Sequence, residues 1–154
     1  MISLLLVLTM ERTLVIIKPD GMQNHLENEI IQRYEKAGLK IIAKRVVSAD
    51  KMLLRKHYSA HVNKPFYPGL EKFMTEAPVL AFVLEGENAI KRTREITGAT
   101  DPSKAANGTI RGDLSDDSGE KADREGRAIR NLVHASGTSE EAEKEIKLWF
   151  PGLK

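Results

Sequence analysis

A chain of 154 residues, 41% apolar and 30% charged, can bury roughly 70% of its unfolded surface and has the composition of one globular domain. Its 24 basic and 22 acidic side chains leave a net charge of +2, which excludes the basic excess of a dedicated nucleic-acid binder but permits a local cationic cleft. Without cysteine there is no disulfide framework, thiolate nucleophile or cysteine-ligated zinc, and the composition fits the cytosol.

Residues 1–10, MISLLLVLTM, carry an apolar run far short of the roughly 20 residues needed to cross a bilayer. No Lys or Arg precedes the run and no small-residue cleavage pattern follows it, which argues against a signal peptide and a membrane protein. Met10 opens a fresh stretch, MERTLVIIKPDG. Residues 1–10 are therefore expected to be a non-native or disordered extension, with a short extra strand or an apolar packing arm as the rival reading. The domain itself is expected over residues 11–154.

Thr13–Ile17 is β-branched and apolar, the pattern of a buried strand, and Lys18-Pro19-Asp20-Gly21 is expected to stop it in a turn. Leu26, Ile30, Ile31 and Tyr34 then recur at helical spacing, with Gly38 as the residue just past the helix end. A strand follows over Leu39–Val47, and Ser48 is the expected N-cap of a helix reaching His61. Pro65–Glu76 reads as a short helix, Pro78–Leu84 as a strand ended by Gly86, and Glu87–Thr97 as a helix of mixed charge. Residues 98–128 have no hydrophobic period and read as loop with at most one helical turn. Ala128–Val133 regains strand character, and Ser139–Trp149 is a helix with Glu140/Lys144 and Glu143/Lys147 pairs. Alternating strands and helices of this kind give an α+β sandwich, one sheet with helices packed on a face, and fit the split-βαβ ferredoxin-like pattern.

The candidate chemistry starts from what is missing. There is no GxxxxGK[ST], no GxGxxG and no GxSxG, so a phosphate site must be built from side chains. Lys18 ends a buried strand beside a stiff turn, while Arg94 in REITGAT and Arg111 in GTIRGD are forks suited to phosphate oxygens. Taken singly, each arginine is better read as a surface ion pair, and a lysine at a strand end is often only a solvated terminus. His57 and His61 stand one helical turn apart, yet no third ligand accompanies them, so an exposed helix face is the preferred reading over a metal site. Tyr58 and Phe66 are core or, for Phe66, a flat surface for a base. His134, in RNLVHASG, is the best nucleophile candidate, since one imidazole nitrogen can attack phosphorus while the other donates to a carboxylate such as Glu145. Taken alone, that stretch is better read as a structural histidine.

Five stretches together, TLVIIKPDG, HYSAHVNKPFYPGL, REITGAT, GTIRGD and RNLVHAS with EAEKEIKLWF, resemble in order the motifs of nucleoside diphosphate kinases, from about Glu11 to Phe150. The resemblance implies a ferredoxin-like, four-stranded antiparallel sheet covered by helices. It also implies transfer of a γ-phosphoryl from a nucleoside triphosphate to a diphosphate through a phosphohistidine, by ping-pong kinetics. By that resemblance His134 is the phosphorylated residue and Glu145 orients it, with Tyr58 beside it and Ser136 supporting the carboxylate. Lys18 contacts the ribose and terminal phosphate, Asn131 the sugar, Phe66 and Leu70 the base, and Arg94, Thr100 and Arg111 the phosphates, with His57 close by. Mg²⁺ is expected to bind through nucleotide phosphates, with no protein carboxylate cage. A homo-oligomer built from dimers (dimer, tetramer or hexamer) and a cytoplasmic location are expected as well. The competing reading is a catalytically silent nucleotide- or nucleic-acid-binding module on the same fold.

Three departures from the family pattern stand out. Ala135 occupies a position usually held by Gly, and Gly137 one usually held by Asp. Between Arg111 and Asn131 the segment SDDSGEKADR, or thereabouts, is extra. It is expected to be a polar flap at the cleft, with Asp116, Asp117 and Glu120 as solvated carboxylates or, alternatively, near Mg²⁺. The chain also ends at Lys154 without the longer tail many members use in subunit contacts.

Overall fold

The computed structural model describes residues 10–154. The expected extension thus lies outside the described residues except for Met10, which begins the first strand. That strand, β1 (Met10–Ile17), is followed by α1 (Pro19–Gln23), α2 (Glu27–Lys36), β2 (Lys40–Val47), α3 (Lys51–His57), α4 (Tyr67–Met74), β3 (Val79–Glu87) and α5 (Ala89–Thr97). A 3₁₀ turn (Pro102–Lys104), α6 (Ile110–Leu114), α7 (Gly119–Glu125), β4 (Val133–Ala135) and α8 (Ser139–Trp149) complete it.

The strands form a four-stranded antiparallel sheet in the order β2-β3-β1-β4. β1 is central and wholly buried from Thr13 to Ile17. Its alternation divides the molecule into two cores, because successive side chains of a strand point to opposite faces. Leu14 and Ile16 pack with Leu54, Phe73, Ile146 and Trp149 on one side. Val15 and Ile17 pack with Ile30, Tyr34, Ala89 and Ile110 on the other. Helices therefore cover both faces of the sheet rather than one, as apolar runs such as TLVII and VLAFVL require.

Several expected boundaries move for local reasons. Lys18-Pro19-Asp20-Gly21 is not a simple turn: Pro19 sits at the first position of α1, where its missing N–H costs nothing, and Asp20 faces the positive end. The N-cap of α3 is Asp50, whose carboxylate accepts from the Leu53 N–H at 2.8 Å, not Ser48, and the helix ends at His57 rather than His61. Gly86 does not end β3, which continues to Glu87 opposite Met10. The expected loop at 98–128 contains the 3₁₀ turn, α6 and α7, each opened by a side chain that accepts from a backbone N–H: Asp101 from Ser103, Thr109 from Gly112 and Ser118 from Lys121. The last strand is Val133–Ala135 rather than Ala128–Val133, because only those residues reach the free edge of β1. His134 is consequently inside the strand, not at its exit.

Candidate active site

His134 lies opposite Ile16 in the β1–β4 ladder and so shares the sheet face that α8 covers. The buried stripe of α8 is Ala142, Glu145, Ile146 and Trp149, with a carboxylate in the middle of an apolar face. Glu145 Oε1 lies 2.8 Å from His134 Nε2 and accepts from Ser136 Oγ at 2.7 Å. A carboxylate acceptor fixes the imidazole with its proton on Nε2, leaving the Nδ1 lone pair free. Burial, then the charges of Lys18, Arg111 and Arg94, push the His134 pKa down to about 3, so the ring is neutral at pH 7. Burial raises the Glu145 carboxyl, opposed by His57 and the Ser136 hydroxyl.

Lys18, Tyr58, Leu70, Arg94, Thr100, Arg111, Asn131 and His134 line one cleft of about 420 Å³. A larger groove of about 670 Å³ adjoins it across Arg94, Gly98 and Gly137 but includes no histidine in its lining. Glu145 and His57 stand behind His134 in a smaller cavity that Tyr58 and His134 also line. Ser136 is fully buried, and Phe66 stands 53% exposed outside the cleft, with the His61 ring centroid 5.6 Å away and Lys64 Nζ 5.9 Å from its ring centre.

The cations differ in how they are held. Lys18 Nζ donates to Asn131 Oδ1 at 2.9 Å, and burial followed by Arg111 lowers its pKa to about 8. Arg111 is 8% exposed and gives its N–H groups to three backbone carbonyls, those of Asn131 (3.1 Å), Gly98 (3.2 Å) and Val133 (2.5 Å). Burial brings it down to about 10, still a cation at neutral pH, with two of its five donors uncommitted. Arg111 thus braces the loops as well as facing the cleft. Arg94 is exposed, with one bond to the Ala135 carbonyl at 3.3 Å.

His57 is not on an exposed helix face. Its Nδ1 accepts from the Trp149 indole N–H at 3.0 Å, its ring meets His134 edge to face at 4.4 Å, and burial pushes its pKa to about 3. His61 lines both the cleft and the smaller cavity, but its Nδ1 is engaged 2.9 Å from Lys64 Nζ and it is not among the side chains whose ligand atoms converge with those of His57. His57, His134 and Glu145 do bring one ligand atom each within 4.8 Å of one another, but the cations Lys18 and Arg111 beside them oppose a further positive charge there. The Tyr58 hydroxyl and His57 Nε2 are buried without a hydrogen-bond partner among the described residues.

Two supporting groups escaped the sequence reading. Asp20 is 7% exposed and its Oδ2 accepts from the Leu132 N–H at 3.0 Å, which holds Leu132 at φ +72°, unusual for a residue with a side chain. That bend carries Asn131 and His134 on either side of it. The available signal was Pro then Asp directly after a strand, which reads as a helix start as well as a turn. Trp149 left no comparable signal: an indole at helical spacing looks like core.

The inserted segment is not a cleft flap. Asp117 is 4% exposed and bound to Arg127, Asp116 lines a separate polar cavity with it, and Glu120 is exposed near Arg124. None of the three lines the cleft. Ala135 is accommodated in the ladder opposite Val15, and the Gly137 N–H donates to Glu141 Oε2 at 3.0 Å.

The family model described as nucleoside diphosphate kinase matches residues 11–154. A nucleoside diphosphate kinase of Staphylococcus epidermidis is 48% identical over 141 residues, 92% of this chain and 88% of that protein. One from Pyrococcus furiosus is 49% identical over 140 residues, 91% of this chain and 83% of its own length. Among solved structures, a Borrelia burgdorferi nucleoside-diphosphate kinase described as a transition-state mimic with bound vanadate and ADP superposes with a TM-score of 0.88 at 38% identity, covering 92% of this chain and 87% of that one.

Proposed function

The chain belongs to the nucleoside diphosphate kinase family and is a phosphotransferase, and we propose that His134 is the residue that carries the phosphoryl group. The observation that carries this reading is the 2.8 Å contact of His134 Nε2 with Glu145, which leaves Nδ1 as the nucleophile within a cationic cleft. In the first half-reaction Nδ1 attacks the γ-phosphorus of a nucleoside triphosphate. The bond to the β-phosphate oxygen breaks, and its electron pair leaves with the diphosphate. A second diphosphate attacks the phosphohistidine in reverse, which restores neutral His134 and gives ping-pong kinetics.

Lys18, Arg94 and Arg111 oppose the charge that spreads over the transferring oxygens, and positioning supplies most of the remaining acceleration. The buried Tyr58 hydroxyl, with no partner of its own, is a donor available to a phosphoryl oxygen on His134. Lys18 and Asn131 form one hydrogen-bonded unit at the sugar end, and Phe66 with Leu70 is assigned to the base, a face-to-face contact indifferent to base identity. That the Borrelia structure superposing on this chain is described with bound vanadate and ADP supports a nucleotide as the ligand. Mg²⁺ bound to the nucleotide would shield the phosphates, held by them rather than by a protein carboxylate cage. The cleft suits this, since Glu141 is the one carboxylate in its lining and already accepts from the Gly137 N–H.

The edge of β2, unpaired among the described residues and with Val46 63% exposed, supports assembly through dimers. No helix among the described residues is long and apolar enough to cross a membrane, and a cytoplasmic location is the matching proposal. A neutral, oriented nucleophile favours catalysis over the silent binding module. The test is incubation with γ-labelled ATP and Mg²⁺: an acid-labile, alkali-stable phosphoenzyme should form and be discharged by GDP. Labelling and GTP synthesis by His134→Ala would refute the assignment.

A further inference from the structure

The segment that the family pattern lacks, about Ser115–Arg124, is followed after six residues by Asn131. Ser118 caps α7 by accepting from the Lys121 N–H, and Gly126 closes it at φ +65°. The chain then returns so that Arg127 grips Asp117 with two parallel bonds, Nη1 to Oδ2 at 2.8 Å and Nη2 to Oδ1 at 2.9 Å. Such a fork fixes both partners in a plane. The same Asp117 Oδ2 accepts from the Arg130 backbone N–H at 2.7 Å, and the Ser115 hydroxyl donates to the Arg130 carbonyl at 2.8 Å. Both backbone polar groups of Arg130 are therefore held by the inserted segment, and Asp117 is 4% exposed while doing so.

The next residue is the one whose orientation matters. Asn131 accepts from Lys18 Nζ through Oδ1 (2.9 Å), donates through Nδ2 to the Thr100 carbonyl (2.9 Å), and offers its own carbonyl to Arg111 Nε (3.1 Å). An amide satisfies the first two bonds in one orientation only, since oxygen and nitrogen cannot exchange places. Rotation at the Arg130–Asn131 junction would break them together and release the Lys18 ammonium.

From this we infer that Asp117, held by Arg127, is a positioning residue that locks Asn131 and Lys18 for nucleotide binding. The insertion does this from outside the cleft, by immobilising the backbone one residue before Asn131. This rests on the proposed roles of Lys18 and Asn131 at the nucleotide. Its effect falls on capture of the nucleotide more than on the phosphoryl transfer at His134, which Glu145 and Ser136 orient independently.

The experiment is a double-mutant cycle on the full chain with Asp117→Ala and Asn131→Ala, measuring kcat and KM for ATP and GDP. Asp117→Ala should raise KM about tenfold while kcat falls by less than about threefold. In the Asn131→Ala background it should add nothing further. Asp117→Asn keeps the shape and an acceptor for the Arg130 N–H, so it should fold and raise KM less, with the same lack of additivity. Additive effects in the cycle, unchanged KM in both Asp117 variants, or a loss confined to kcat would overturn the inference. Failure of the unsubstituted protein to form a phosphoenzyme would count against the proposed function instead.

Discussion

Glu145 Oε1 and His134 Nε2 meet at 2.8 Å, one from the apolar stripe of α8 and the other from the middle of β4. The contact fixes which imidazole nitrogen faces the cleft. Glu145→Gln keeps an acceptor of similar shape but removes the charge that favours a developing imidazolium. The phosphorylation rate should fall about 10- to 100-fold, with KM for ATP changed far less. Single-turnover labelling measures this, and a rate within twofold of the unsubstituted protein would refute the role.

Depression of its pKa keeps the His134 imidazole neutral at pH 6.5, where an ordinary histidine would be half protonated. Phosphoenzyme formation should therefore stay level from about pH 8 to pH 6, and a fall centred near 6.5 would contradict it. His57 is depressed in the same way. Below about pH 6.5 the unfolded chain binds protons that the folded protein refuses, so stability is full above that value and is lost as the pH falls toward 3. Urea midpoints at several pH values should decline in that direction.

Lys18 titrates at the other end of the range. With its pKa lowered to about 8, the unliganded protein loses this cation as pH rises past that value, and KM for ATP should climb between about pH 8 and 9. Lys18→Met should show a raised KM that stays level over the same interval. A parallel climb in that variant would assign the titration to another group. Stability moves oppositely: between about pH 8 and 10.5 the unfolded lysine keeps a proton that the folded one has shed, so the fold gains as pH rises.

Gly98 should tolerate no side chain. Its φ is +92°, a Cβ there would lie 2.5 Å from Thr109 Oγ1, and its carbonyl accepts from Arg111. Gly98→Ala is expected to cost about 1–3 kcal/mol in urea unfolding through backbone strain and to weaken phosphate binding through Arg111. Unchanged stability would show that the loop relaxes freely.

Removing the indole donor isolates the tautomer of His57. Trp149→Phe keeps most of the buried ring but leaves Nδ1 of His57 without its 3.0 Å donor. About 1–3 kcal/mol should be lost in thermal or urea unfolding, the range for a buried polar atom left unpaired. A smaller loss would mean that His57 reorients to find another partner.

Local pattern was enough for β1, β3 and α8, because a buried strand or a striped helix writes its environment into consecutive residues. The run TLVII read as a buried strand, although the helices expected on one face cover both, and Ser139–Trp149 has the bounds its periodicity and charge pairs indicate. The ordered motifs were likewise legible, and Lys18, Tyr58, Leu70, Arg94, Thr100, Arg111, Asn131 and His134 from them line one cleft, whereas Phe66 stands outside it. Residues 98–128 were not, since α6 and α7 are short and bury few side chains (Ile110, Arg111 and Ala122), which leaves no period to see. Asp20 and Asp117 look like solvated turn carboxylates along the chain. Their partners are the Leu132 N–H and the Arg127 fork, at sequence separations of 112 and 10. His57 likewise looked exposed until Trp149, 92 residues away, was placed on it. Sequence by itself determined which residue types carry the chemistry and roughly where the strands run. Tertiary structure alone decided which imidazole nitrogen is free and which carboxylates are buried, because protonation and orientation depend on partners that only folding brings within hydrogen-bond distance.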